Sequence, residues 1–286
     1  MAKNQKVLSG KRIRRNILSI FCNAVFAVFS FTCIFPMVWI LYSSFKDQAE
    51  FMQSSVALPD AIDLTNYISV FTQTEMGLYM LNSARNTLIS VAVIVIISFL
   101  AAYVLARYRF KGRGILYNYF IMGMLIPIHA LLVPMYIQLR QVNLINHWYT
   151  LLFPYIAFGL PISIMLIESY ISAVPRELEE AAAIDGCSFF RTLFQIVFPL
   201  TTPILSTVAI MQFFSVWNEF SFALILVNSD TLRTVPVGLT MFKSAYTVDY
   251  PRMMAGIMVT TMPVMILYFI FSKRVIEGMV AGAVKG

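Results

Sequence analysis

The residues that could do chemistry in this chain are few and scattered. Its two histidines, His129 and His147, and its three cysteines, Cys22, Cys33 and Cys187, form neither an HExxH pattern nor a CxxC pair. No metal centre or disulfide framework is expected, and Cys22 and Cys33 fall in apolar runs where they read as small hydrophobes. The single Gly-Lys pair, Gly10-Lys11, runs into Arg12 and lacks the earlier glycine of a phosphate-binding loop, and no GxSxG elbow occurs. Nothing here can cradle the phosphates of ATP or carry out acyl transfer, so the chain is not expected to be an enzyme or to hold a cofactor of its own. What remains is a small set of polar groups inside long apolar runs: Glu168, His129, and Asn218 and Glu219 beside Trp217. Such groups are costly in hydrocarbon and are functional candidates by default. Amide and carboxylate groups pair with hydroxyls, and an indole face stacks on ring CH groups. His129, Asn218 and Glu219 are therefore candidates for a path taken by a hydroxyl-rich solute. The alternative is that Asn218 and Glu219 satisfy backbone or inter-helix groups near the membrane edge, and that His129 is an ordinary packed residue. Glu168 is expected to pair with a basic loop residue.

Composition says what must position these groups. Of 286 residues 59% are hydrophobic and 12% are charged, against about a quarter charged in a soluble domain, and the mean hydropathy is +0.76. A soluble globular protein is excluded. Disorder is excluded too, because a chain with 24 Phe, 14 Tyr and 17 Met collapses. The class left is an all-α, multi-pass membrane protein in contact with lipid. The net charge of +7 would suggest a nucleic-acid partner in a soluble protein, but here the basic residues lie in short loops beside apolar runs, and none is expected.

Six segments are long and apolar enough to span: 17–44, 86–106, 115–138, 149–172, 202–228 and 252–272. The length of the first argues against a cleaved signal peptide. Of the 21 Lys and Arg, 15 fall on one side: six at Lys3–Arg15, four at Arg107–Arg113, then Arg176 and Arg191, then Lys273, Arg274 and Lys285. Both termini are therefore expected in the cytoplasm. The organisation is a cytoplasmic N-terminal segment (1–16), a six-helix transmembrane domain (17–272) and a cytoplasmic C-terminal tail (273–286). Pro36, Pro127, Pro134, Pro161 and Pro263 lie inside or at the edges of spans, where they either leave packing irregularities or shape a central path.

The connection between spans four and five, about 174–200, is too elaborate for a simple link. Pro175 suits the start of a helix, Glu177, Glu179 and Glu180 favour its positive end, and Ala181–Ala183 propagate it. Gly186 permits a left-handed stop, and a second apolar stretch from Phe189 to Phe198 runs to Pro199. Two short helices joined at a glycine bend follow, with alanines small enough for another surface to approach. An amphipathic helix lying on lipid is the plainer alternative.

The spacing Glu180-Ala181-Ala182, Gly186, Ile196, Pro199 resembles the EAA loop of ABC-importer permeases, with Phe198 where that family usually has Leu. The resemblance runs through most of the chain. Ser44-Phe45-Lys46, Asn82-Ser83 before span two, Ala102-Tyr103 through Arg107 to Phe110-Lys111-Gly112, Trp217-Asn218-Glu219-Phe220, and the ending Glu277-Gly278 with Ala281–Gly286 are similar to the carbohydrate-importing, maltose-type second permease. Glu168 departs from it, since many relatives carry a basic residue there. The resemblance implies a type I ABC importer transmembrane domain in a bacterial or archaeal cytoplasmic membrane. It implies as partners a homologous second permease, two ATPase subunits that bind ATP and Mg, and an extracytoplasmic solute-binding protein. It also implies that Glu180, Ala181, Ala182, Asp185 and Gly186 dock in the ATPase, and that Gly282 and Lys285 of the tail contact the ATPase pair. Permeases for glycerol phosphates or polyamines, and an ion-driven secondary transporter, are the alternatives. The EAA spacing and the lack of a charged relay through several spans weigh against the last.

Overall fold

The computed structural model describes residues 2–242 and 248–283, with side chains at Asn16 and from Ser19 to Phe271 within that range. Among the described residues the regular elements are all helices. Among the described residues five helices are long and apolar enough to cross a membrane, and a sixth crossing is made if one bent pair counts as a single span, in agreement with the six expected. The chain divides into two compact units, Met1–Val70 with Phe242–Val259, and Phe71–Met241 with Thr260–Gly286.

In the first unit α1 (Ala2–Ser43) carries an apolar stretch, Ser19–Ser43, in which Ser43 alone is buried. Two short helices follow, α2 (Gln48–Gln53) and α3 (Thr65–Thr72). Lys46, just ahead of α2, is fully buried: its ammonium donates to the Ser54 carbonyl at 2.8 Å and lies 5.9 Å from the Tyr42 ring centroid. The Asn66 amide donates to the carbonyls of Ser44 and Lys46. The Ser-Phe-Lys residues thus fix the exit of α1 by satisfying buried polar groups. Asp63 accepts from the Thr65 hydroxyl and amide, and these two bonds, in that order, hold its carboxyl below the usual carboxylate range.

The second unit is built on α4 (Met76–Arg107), α7 (Leu152–Ala173) and α10 (Phe198–Trp217), packed on one another. One core joins Phe99, Tyr103 and Ala106 of α4, Ile167 and Ile171 of α7, and Ile204, Leu205 and Val208 of α10. At the crossing, a Cβ on Gly159 would strike the Ile94 and Gln212 side chains, and the Gln212 amide donates to the Gly159 carbonyl (3.1 Å) and the Ser163 hydroxyl (3.0 Å). Helices in lipid associate through such close approach and interhelical polar contact.

Several expected boundaries move. α4 begins ten residues before the expected span two, so Asn82 and Ser83 lie inside it. There they hold a later strap: Asn82 donates to the carbonyls of Thr231 and Arg233, and Ser83 accepts from the Val235 amide. Expected span three is two helices, α5 (Arg113–Gly123) and α6 (Leu132–Gln141, preceded by a 3-10 turn at Ile128–Leu131), bent by 90°. Pro127 lacks an N–H and pushes Ile126 away from helical geometry. Expected span five starts earlier and stops earlier. α8 (Glu177–Ile184) is followed by α9 (Phe189–Thr192), a π-helical turn (Leu193–Val197) and α10 as one continuous run. Pro199 therefore does not end a short helix. It sits just inside α10, where the widened π turn precedes it. The run breaks at Asn218–Phe220 before α11 (Ser221–Leu226), and a 3-10 turn (Asp230–Leu232) and α12 (Val235–Gly238) form the strap. The last helix, α13 (Tyr250–Ala283), continues through most of the expected tail.

Candidate functional site

The loop after α7 has the form its residues predict. α7 stops at Val174, whose ψ of 130° is extended, as the following Pro175 requires. α8 starts at Glu177 with three acids in its first turn. It closes in a Schellman motif: the Cys187 amide donates to the Ala182 carbonyl (2.9 Å), the Gly186 amide to the Ala183 carbonyl (3.1 Å), and Gly186 has φ +77°.

The faces of α8 differ. Glu180, Ala181, Asp185 and Gly186 are exposed, and Ile184 beside them is 86% exposed. Ala182 instead is 4% exposed and packs within its own chain, so it is not on the outward face expected of it. Glu179, three residues earlier on the same side, also turns inward. Its carboxylate accepts from the Tyr103 hydroxyl (2.9 Å) and from Arg107 Nε, and Arg107 Nη2 donates to the Val174 carbonyl at 3.1 Å. Arg176 returns the tie by donating to the Ala106 carbonyl at 3.2 Å. None of Tyr103, Arg107 and Glu179 stood among the expected site residues. The spacing alone does not find Glu179: it shares a helix face with Ala182, three residues on, and only the fold shows that face to be inward.

Glu168 pairs with Arg113 at 3.3 Å and accepts from the Ser172 hydroxyl, so its partner is the basic residue that opens α5. Asn218 and Glu219 form the break after α10. The exposed Asn218 donates to the Phe214 carbonyl at 2.9 Å and so finishes α10. Glu219 accepts from the amides of Phe222 (2.7 Å) and Ala223 (3.2 Å), capping α11, and from the buried Tyr155 hydroxyl at 3.0 Å. The indole N–H of Trp217 donates to the Thr260 carbonyl. His129 lies exposed in the 3-10 turn at the bend of the third span. Gly282 falls within the last turns of α13, and Lys285 lies outside the described residues. Among the residues described, no cluster of three or more His, Cys, Asp or Glu could hold a metal ion.

The described residues form an all-helical membrane unit with a short acid-tipped helix between two spans. Residues 94–279 match the family described as binding-protein-dependent transport system inner membrane component, and the chain belongs to that family. It is 37% identical to the sulfoquinovosyl glycerol transport system permease protein SmoH of Agrobacterium fabrum over 88% of this chain and 89% of that one. It is 34% identical to the trehalose/maltose transport system permease protein MalG of Thermococcus litoralis over 89% and 92%. In fold it is similar to a bacterial ABC transporter involved in the import of the acidic polysaccharide alginate, with a TM-score of 0.80 and 22% identity over 90% of this chain and 96% of that one. The chain is a non-catalytic permease and a multi-pass protein of the cytoplasmic membrane.

Proposed function

We propose that the chain is one permease half of an ATP-driven importer, forms half of the path for a sugar or oligosaccharide, and couples to ATPase subunits through α8. The observation that carries this reading is the outward face of α8: Glu180, Ala181, Asp185 and Gly186 exposed together, and the helix closed at Gly186. A short helix with acids at its positive end and small residues beyond them suits insertion into a partner's cleft. A homologous permease completes the path. An extracytoplasmic binding protein delivers the solute, and two ATPases bind ATP and Mg on the α8 side. Both termini face the cytoplasm, as the distribution of Lys and Arg favours. His129 and Asn218, both exposed, border the path, and Glu219 shapes the break beside it. Gly282 and Lys285 reach the ATPase pair from the end of α13. That sugar is the cargo rests on the solutes named for the relatives.

The test is Gly186→Asp in the complete importer. The permease should still insert in the membrane, while ATPase co-purification and uptake are lost. Survival of both removes the docking assignment. Single cysteines at positions 60 and 112, in a chain without Cys22, Cys33 and Cys187, should label from opposite sides with an impermeant maleimide. Labelling of position 112 from outside intact cells reverses the orientation.

A further inference from the structure

We propose that Glu179 is a positioning residue: with Tyr103 and Arg107 it locks α8 to the end of α4, so that the two move as one body when α8 is pushed. The proposal rests on the coupling reading of α8 given above.

The geometry is a convergent tie. Both oxygens of Glu179 are engaged, Oε2 by the Tyr103 hydroxyl at 2.9 Å and Oε1 by Arg107 Nε. The pair is largely withdrawn from solvent, with side chains 6% exposed for Arg107 and 16% for Glu179. The same guanidinium reaches the Val174 carbonyl at the end of α7, and Arg176, just before α8, reaches the Ala106 carbonyl near the end of α4. Charge-assisted bonds of this kind are short and directional. Breaking one side of such a pair leaves the other charge buried without a partner.

The tie matters because α8 is joined to its neighbours through non-helical links at both ends. Val174-Pro175-Arg176 leads in through an extended residue, and Gly186-Cys187-Ser188 leads out through a left-handed glycine. Without a cross-connection, a push on the exposed face of α8 would be absorbed by rotation at these joints. The tie passes it instead into Tyr103, which lies in the core of α4 with Phe99, Ile167 and Ile171 and contacts the Phe189 ring at 6.0 Å. Ala182, buried three residues along, backs the same face. Glu179 and Glu180 are therefore neighbours with different work: one faces outward, the other holds the helix to its own chain.

The test reads movement within this chain first and transport second. Spin labels are placed at Glu177 of α8 and at Leu88 of α4, outside the proposed docking residues, in a chain with Cys22, Cys33 and Cys187 replaced by serine and assembled in the complete importer. In the chain with the lock intact, the distance between labels should be the same without nucleotide and with ATP trapped. In Glu179→Ala it should match that value without nucleotide and shift by a few ångströms once ATP is trapped, with the ATPase still bound and hydrolysis within about twofold. Transport per ATP should fall about tenfold, in the range of coupling between distant sites. Tyr103→Phe, which removes a single hydroxyl, should give a smaller shift of the same kind, and decides the matter if Glu179→Ala does not assemble. A nucleotide-dependent distance change with the lock intact, or an unchanged distance in the variants, overturns the proposal. So does a distance already altered without nucleotide, which would mark Glu179 as a folding residue only. If Gly186→Asp keeps its ATPase, the coupling reading itself has failed. If it loses the ATPase while the variants behave like wild type, only the lock has failed.

Discussion

Glu219→Ala separates two roles for the acid in the break after α10. In the structure its carboxylate caps α11 through the amides of Phe222 and Ala223 and accepts from the buried hydroxyl of Tyr155. Loss of a helix N-terminal cap costs about 1 kcal/mol. Leaving the Tyr155 hydroxyl buried without an acceptor costs about 1–3 kcal/mol more. The total, about 2–4 kcal/mol, corresponds to roughly 5–10 °C in the thermal unfolding of a domain this size. Glu219→Gln keeps one acceptor oxygen in place and should lose about 1 kcal/mol, the difference between a charged and a neutral acceptor. Adding Tyr155→Phe to Glu219→Ala should cost less than the sum of the two, since no stranded hydroxyl is left. The assay is unfolding of the purified complex by tryptophan fluorescence at a fixed scan rate, together with uptake normalised to assembled protein. If Glu219 is a cap, uptake falls with the amount of folded protein and the apparent KM stays put. An unchanged melting temperature in Glu219→Gln with a tenfold higher KM for the imported solute would refute this reasoning and make the carboxylate a solute ligand.

Three further outcomes follow from single contacts. Gly159→Ala forces a Cβ against Ile94 and Gln212 and should destabilise by about 1–3 kcal/mol, with Ile94→Val, which removes the nearest atom, restoring part of the loss in thermal unfolding. At Gly186, where φ is +77° and a Cβ meets nothing within 4 Å, alanine should cost about 1 kcal/mol from backbone strain alone, and asparagine less; limited proteolysis of the loop should rank Gly, Asn, Ala in order of resistance. The Asp63 carboxyl titrates below its usual 3.8 because the folded state favours the charged form, so its support of the start of α3 is complete above that value and is lost as pH falls through the lower folded one; exchange of the Thr65 amide should be steady from pH 5 to 8 and quicken, relative to the intrinsic rate, only in strong acid.

Much of this was legible because it is local. The apolar lengths announced the spans, Gly186 announced the stop of α8, and Glu168, a lone acid in an apolar run, announced a basic partner that proved to be Arg113. What stayed hidden depends on contacts far along the chain. Asn82 and Ser83 read as polar residues before a span, yet α4 begins ahead of them because their side chains satisfy backbone groups of Thr231, Arg233 and Val235. Asn218 and Glu219 read as polar groups in a continuous helix. The break between α10 and α11 is made by their own bonds to the backbone, and it is anchored by Tyr155 on α7. Pro199 reads as a stop, but a proline near the start of a helix costs little, and the π turn before it carries the run through.

The loop between α7 and α9 shows how far residue type can mislead when the face is unknown. Five residues of similar pattern were expected to point outward, and one of them, Ala182, points in. Two adjacent glutamates of identical chemistry part company across one helical step: Glu180 is exposed, and Glu179 is held by Tyr103 and Arg107. A helix that must receive force from another protein needs a face for that protein and a grip on its own chain, and an eight-residue helix has only about two turns in which to supply both. With residues 100° apart around the axis, neighbouring positions fall naturally on different faces, so paired acids serve where a single one could not. An acid at one position alone would leave either the outward surface or the inward tie without its carboxylate, and the hydrogen bonds decide which glutamate serves which.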